Sequence, residues 1–196
     1  MFYHLININP NEFINDFIER LNGDDPAHYD FINDFKPYEY QANFVNQFSL
    51  EKPQGVLLAG NQIGKSYGAN FITACHLVGL YPDWYKGFKF EKPITMSLSG
   101  YDLSQVKNVM QSYLFGGYDS TTKKCTGINQ NNENSFINPE LTKGAKQAMG
   151  VPGALKEIYV KHSSGGYSKV LFYGYSQKAL SFAGTIFDLC VIDEQP

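Results

Sequence analysis

A lysine, a serine and two acids give this chain the means to handle a triphosphate. The stretch LLAGNQIGKS at 57–66 places small, flexible residues ahead of Lys65 and Ser66. Small residues let backbone N–H groups close around phosphate oxygens, a lysine reaches the β and γ phosphates, and a serine hydroxyl can ligate Mg²⁺. Gly60, Asn61, Gln62, Ile63, Gly64, Lys65 and Ser66 are therefore the candidate phosphate cradle, with ATP and Mg²⁺ as its ligands. The pattern is a variant, because the usual spacing puts the first glycine where Ala59 stands, and Gly60 comes one place later. A glycine turn before a core helix uses the same letters. The apolar run before it and the helical run after it are the context that favours the phosphate reading.

The second group lies at the far end. LCVIDE (189–194) is a short apolar run ending in Asp193 and Glu194. A buried parallel strand delivers its C-terminal end to the sheet edge where such a cradle opens. Asp193 there can hold Mg²⁺, directly or through water, and Glu194 can orient and deprotonate an attacking water. Lys65 and Glu194 are the catalytic candidates; Ser66 and Asp193 are the metal candidates. A buried strand with an acidic exposed end is the bland alternative, and it loses weight only because a cradle accompanies it. In PYEYQANF (37–44), Gln41 offers a donor and an acceptor that match N6 and N7 of adenine, and Tyr38 or Tyr40 can stack on the base. His76 and His162 have no partner at ligand spacing and read as structural. Lys123 with Lys124, and Lys143 with Lys146, are the only local basic clusters.

Elements must bring these groups together. Residues 10–22 place Phe13, Ile14, Phe17, Ile18 and Leu21 on one helical face, and NGDDP ends that helix. A second helical spacing covers 38–48. GVLLAG (55–60) has strand character, and ANFITACHLVGL after the cradle reads as a buried helix. ITMSLS (94–99) is a second strand, followed by a helix over 102–115 capped by Asp102 or Ser104. Residues 116–153 have no clear period and read as an irregular excursion. EIYVKH (157–162) and KVLFYGY (169–175) form a hairpin around SSGGYS. The class is α/β with a mainly parallel sheet and an inserted hairpin. Residues 1–35 form an N-terminal helical segment and 36–196 the ATPase domain.

Bulk properties set limits. The 196 residues suffice for one domain with a real core. Hydrophobic residues are 43% and charged residues 18%, against disorder. A net charge of −3 argues against a protein whose main task is gripping nucleic acid, though it leaves room for a local patch. Three widely spaced cysteines point to a reducing compartment and no zinc site. No signal peptide opens the chain, and no apolar stretch approaches the roughly 20 residues needed to span a bilayer.

With these residues in place the chain resembles the large terminase subunit, the ATP-driven motor that packs tailed-bacteriophage DNA. AGNQIGKS, HLVGLYPDWYKGFKF (76–90), VKHSSGGYS (160–168) and SFAGTIFDLCVIDEQP (181–196) carry the resemblance, which covers about residues 36–196. It implies a P-loop NTPase fold of the additional-strand, catalytic-glutamate type, hydrolysing Mg-ATP to move double-stranded DNA into a procapsid. It implies a portal protein, a small terminase subunit and other copies of the chain as partners, in the cytoplasm of the bacterial host. Lys65 and Ser66 match the phosphate and metal positions, Asp193 and Glu194 the metal and base positions, and Gln41 the adenine-contacting glutamine. Gln62 stands where many relatives carry an arginine. Arg20, the only arginine, lies outside the motifs, so if a finger exists it is a lysine or lies past residue 196.

The resemblance also implies a further strand between the cradle strand and the acidic strand, and then a nuclease domain. The expectation is that the chain is truncated after the acidic strand and that these residues alone turn over ATP poorly. Another nucleic-acid-stimulated P-loop ATPase such as a helicase, or an inactive prophage remnant, would share the cradle and the acidic strand end.

Overall fold

The computed structural model describes residues 31–32, 35–58, 64–175 and 184–193. The helix expected over 10–22, and with it Arg20 and most of the 1–35 segment, lies outside the described residues. Helix α1 spans Glu39–Asn46 and α2 spans Lys65–Val78. Strand β1 (Thr95–Gly100) leads into helix α3, which has three consecutive pieces: Leu103–Val106 and Ser112–Phe115 are α-helical, and Lys107–Gln111 between them is π-helical. The short pair β2 (Tyr118–Asp119) and β3 (Lys124–Cys125) follows. Strands β4 (Thr142–Gln147), β5 (Leu155–Lys161), β6 (Tyr167–Gly174) and β7 (Leu189–Ile192) complete the order.

The main sheet has the order β4-β5-β6-β1-β7. β1 is parallel to both neighbours, β6 and β7, whereas β4–β5 and β5–β6 are antiparallel. The fold is therefore mixed α/β. The parallel part is the half that carries the acidic strand, and the antiparallel part is the expected hairpin extended by one strand. β4 corrects the sequence reading, which placed 116–153 in an irregular excursion. TKGAKQ has almost no β-branched or apolar residues, and its strand form comes from backbone pairing to β5 rather than from side-chain pattern.

A second correction concerns 55–60. The described residues 55–58 form no strand, and Val56 and Leu58 are 68% and 89% exposed. A strand exists only by pairing. Among the described residues no strand lies against the outer edge of β7, so these apolar residues find no ladder to join.

One face of the sheet is the core. Met96 and Leu98 of β1, Ile158 and Val160 of β5, and Val170 and Phe172 of β6 pack with Phe71, Ala74, Leu77 and Val78 of α2 and with Val106, Met110 and Leu114 of α3. Each large side chain so buried contributes about 1.5–3 kcal/mol. Asp102 caps α3 by accepting from the Gln105 N–H at 2.8 Å. The PDWY segment after α2 is held by paired contacts. Asn46 takes the Lys86 N–H (2.7 Å) and gives to the Trp84 carbonyl (3.2 Å), while the Tyr81 hydroxyl accepts the Phe90 N–H at 2.9 Å. Cys75 and Cys125 are buried free thiols and Cys190 is an exposed one. Among the described residues no helix is long and apolar enough to cross a membrane.

Candidate active site

Helix α2 begins from a residue that a side chain would strain. Gly64 precedes it with φ 85° and ψ 17°, the left-handed region that glycine adopts at no steric cost. The Gly64 carbonyl accepts from the Gly68 N–H at 3.0 Å and from Gln41 Nε2 at 2.7 Å. Gln41 in turn accepts the Tyr38 N–H through Oε1 at 2.9 Å, closing the first turn of α1. A Cβ on Gly68 would lie 2.8 Å from Gln41 Nε2, so the two helices meet closely enough that a larger residue would displace the Gln41 amide. The cradle's exit is thus clamped to α1 by one buried amide, which is 6% exposed.

The acidic strand arrives at the same place. β7 runs parallel to β1, and the ladder continues past it because the Asp193 N–H donates to the Ser99 carbonyl at 2.9 Å. Asp193 Oδ1 then accepts the Ser66 hydroxyl at 3.2 Å. That hydroxyl belongs to the first turn of α2, whose N–H groups and dipole favour negative charge. Beside them, Gly100 closes β1, and the Tyr175 N–H donates to its carbonyl at 2.9 Å. The buried Tyr175 hydroxyl has no hydrogen-bond partner among the described residues. Its pKa is held up by burial and by the nearby Asp193 charge.

Serine and carboxylate oxygens 3.2 Å apart suit a small hard cation. Two adjacent ligands of an octahedral Mg²⁺ at about 2.0–2.1 Å are about 2.9 Å apart, and such an ion takes few protein ligands, leaving the rest to water and phosphate. Among the described residues no group of three or more His, Cys, Asp or Glu could hold a metal by itself.

Of the sequence-derived site residues, the structure joins Ser66 to Asp193 and Gln41 to Gly64, and it starts α2 at Lys65. Gly60, Asn61, Gln62, Ile63 and Glu194 lie outside the described residues. Gln41 is engaged within the chain through both ends of its amide, donating to the Gly64 carbonyl and accepting the Tyr38 N–H, as a buried amide requires.

Asn70 and Gln111 carry polar roles that the sequence reading missed. Asn70 Nδ2 donates to the Val109 carbonyl at 2.9 Å, inside the π-helical turn. Gln111 donates to the Gly153 carbonyl and accepts the Leu155 N–H, both at 2.8 Å. Nothing in the spacing of either residue separates it from a solvated amide on a helix. His76 is structural as expected: its Nδ1 lies 3.0 Å from the Tyr81 hydroxyl, and burial lowers its pKa to about 4.

Over 185 residues the chain is 27% identical to the terminase large subunit of Salmonella phage P22. The match covers 84% of this chain and 35% of that protein, so the chain spans about a third of its relative's length. No family model matches the chain, and no solved structure matches it significantly. The resemblance read from the motifs is borne out by this similarity.

Proposed function

We propose that this chain is the ATPase part of a phage terminase large subunit, hydrolysing Mg-ATP to drive double-stranded DNA into a procapsid. The observation that carries the reading is the contact of Ser66 with Asp193 across 127 residues of sequence. A P-loop NTPase needs the helix-start hydroxyl and the strand-end carboxylate near one metal, and this contact supports the reading by bringing such a pair together. Bound Mg²⁺ would neutralise charge developing on the transferred phosphoryl group. Ser66 and Asp193 would hold it, Lys65 would reach the β and γ phosphates, and the N–H groups of 60–64 would line the phosphate path. Glu194, next to Asp193, would orient the attacking water and take its proton. The P22 relative favours this motor over a helicase. A portal protein, a small terminase subunit and further copies of the chain are the partners proposed, in the host cytoplasm.

The test is titration of the chain with a fluorescent ATP analogue with and without Mg²⁺. Binding should need Mg²⁺ and be lost in Lys65→Ala. Equal binding by that variant would remove the nucleotide reading.

A further inference from the structure

The sheet face opposite the helices carries cations that the phosphate site does not use. On β5 and β6, Glu157, Tyr159 and Lys161 stand in register with Leu171, Lys169 and Tyr167. β4 adds Lys143 opposite Tyr159 and Lys146 opposite Glu157. Residues three apart on a strand normally point to opposite faces. Lys143 and Lys146 share a face because the ladder slips between them, two partners on β5 matching three steps on β4. The extra residue falls in the stretch that holds Gly144, which has φ 62° and whose Cβ would lie 3.1 Å from the Tyr159 ring. A bulge of this kind re-aims a side chain, and here it turns a cation onto the outer face.

The side-chain contacts agree with that placement. Lys146 Nζ lies 2.6 Å and Lys169 Nζ 3.4 Å from the Glu157 carboxylate, and Lys143 Nζ stands 3.2 Å above the Tyr167 ring. Glu157 is 7% exposed while the Lys146 side chain is 66% exposed, so the face shows solvent lysine and tyrosine rather than carboxylate. At its β1 border, Asp188 is engaged by the Thr95 N–H at 2.8 Å. Four lysines against Glu157, and Asp188 at the border, leave a local surplus of positive charge in a chain of net charge −3.

We propose that the face formed by Lys143, Lys146, Lys161 and Lys169, with Tyr159 and Tyr167 between them, is a contact surface for the phosphate backbone of duplex DNA. The proposal rests on the packaging reading and deepens it. Lysines are mobile point charges that neutralise phosphates without reading bases, which suits a cargo moved regardless of sequence. Leu171, the aliphatic side chain among these positions of β5 and β6, is 7% exposed, so an anionic membrane is the weaker occupant.

The test is anisotropy titration of the whole chain against a fluorescent duplex of about 30 base pairs, over a salt series starting near 50 mM. Lys143→Ala/Lys161→Ala avoids both lysines bonded to Glu157. It should weaken binding about tenfold at the lowest salt and reduce the slope of log K against log salt by about 1–2. Lys143→Arg/Lys161→Arg and Lys123→Ala/Lys124→Ala should bind as the unaltered chain does. Unchanged affinity and slope in the alanine pair, an equal loss in the Lys123/Lys124 pair, or no duplex binding by the unaltered chain would overturn the proposal. So would loss of binding to phosphatidylserine vesicles, but not to DNA, in the alanine pair. Mg-ATP binding measured on the same samples reports on the nucleotide reading separately, since no lysine of this face belongs to the cradle.

Discussion

The Ser66 hydroxyl donates to Asp193 Oδ1 at 3.2 Å, joining the first turn of α2 to the end of β7. β7 reaches that point because it is parallel to β1 and its ladder runs on through the Asp193 N–H. Removing the hydroxyl leaves the fold's packing intact and takes one oxygen from the pair. Ser66→Ala should therefore weaken Mg²⁺-dependent nucleotide binding by about 10- to 100-fold, the usual range for disturbing a metal's ligand environment, while Ser66→Thr retains it. A Mg²⁺ titration at fixed ATP analogue reads this directly; indifference of the alanine variant to Mg²⁺ concentration would leave Ser66 without its assigned role.

Gln41 and Gly68 form a lock that a double-mutant cycle can expose. Gln41→Ala removes the bonds to Tyr38 N and Gly64 O from a buried position, a loss of about 1–3 kcal/mol. Gly68→Ala puts a Cβ 2.8 Å from Gln41 Nε2 and should cost about 1–3 kcal/mol through overpacking. With Gln41 already truncated the new methyl has room, so the double variant should be clearly less destabilised than the sum. Urea unfolding of the four proteins measures the coupling; strict additivity would mean that the two helices do not meet as described.

Part of the geometry was legible in the residues, and the remainder hid for physical reasons. The meeting of Ser66 with Asp193 is foreshadowed because a hydroxyl at a helix start and an acid at a strand end are groups that the proposed phosphate chemistry would use together. The hairpin around SSGGYS and the capped start of α3 at Asp102 are readable because turn and cap chemistry is local. β4 was not, because TKGAKQ becomes a strand through its neighbour's backbone. The strand expected at 55–60 fails at the described residues 55–58 for the matching reason: apolar character proposes a strand, but only a partner edge makes one. The intrachain bonds of Gln41 were not legible, because the donor and acceptor that fit adenine fit a carbonyl and an amide of the chain equally well, and only tertiary geometry brings Gly64 to the amide.

The π-helical turn at Lys107–Gln111 makes Asn70 a stability residue. A π turn takes a carbonyl out of the regular helix ladder, and Asn70, 2% exposed, supplies the Val109 carbonyl with a donor. Asn70→Leu keeps the volume and removes that donor, so the chain should lose about 1–3 kcal/mol. An exposed substitution on the same helix, Tyr67→Phe, serves as the reference for urea unfolding. Full stability of Asn70→Leu would show that the carbonyl needs no side-chain donor.

Buried histidines give the stability a defined dependence on pH. His76 Nδ1 lies 3.0 Å from the Tyr81 hydroxyl, which also accepts from the Phe90 N–H. Burial lowers the His76 pKa from 6.5 to about 4, and burial also lowers that of His162. For a folded-state pKa below the unfolded one, the stabilisation is complete above pH 6.5 and is lost on acidification, because only the unfolded chain takes up the proton. His76 alone spans on the order of 3 kcal/mol over its full window down to about pH 4. Glu157, whose carboxyl is lowered chiefly by the Lys146 hydrogen bond, also loses its contribution on acidification, but below its ordinary value of 4.5. The interval from pH 6.5 to 4.5 therefore isolates the histidines. Urea midpoints across that interval should fall steadily for the unaltered chain, and His76→Gln, which cannot gain the proton, should flatten most of the fall. A midpoint that stays level in the unaltered chain would mean that His76 titrates in the folded state as it does in the unfolded one.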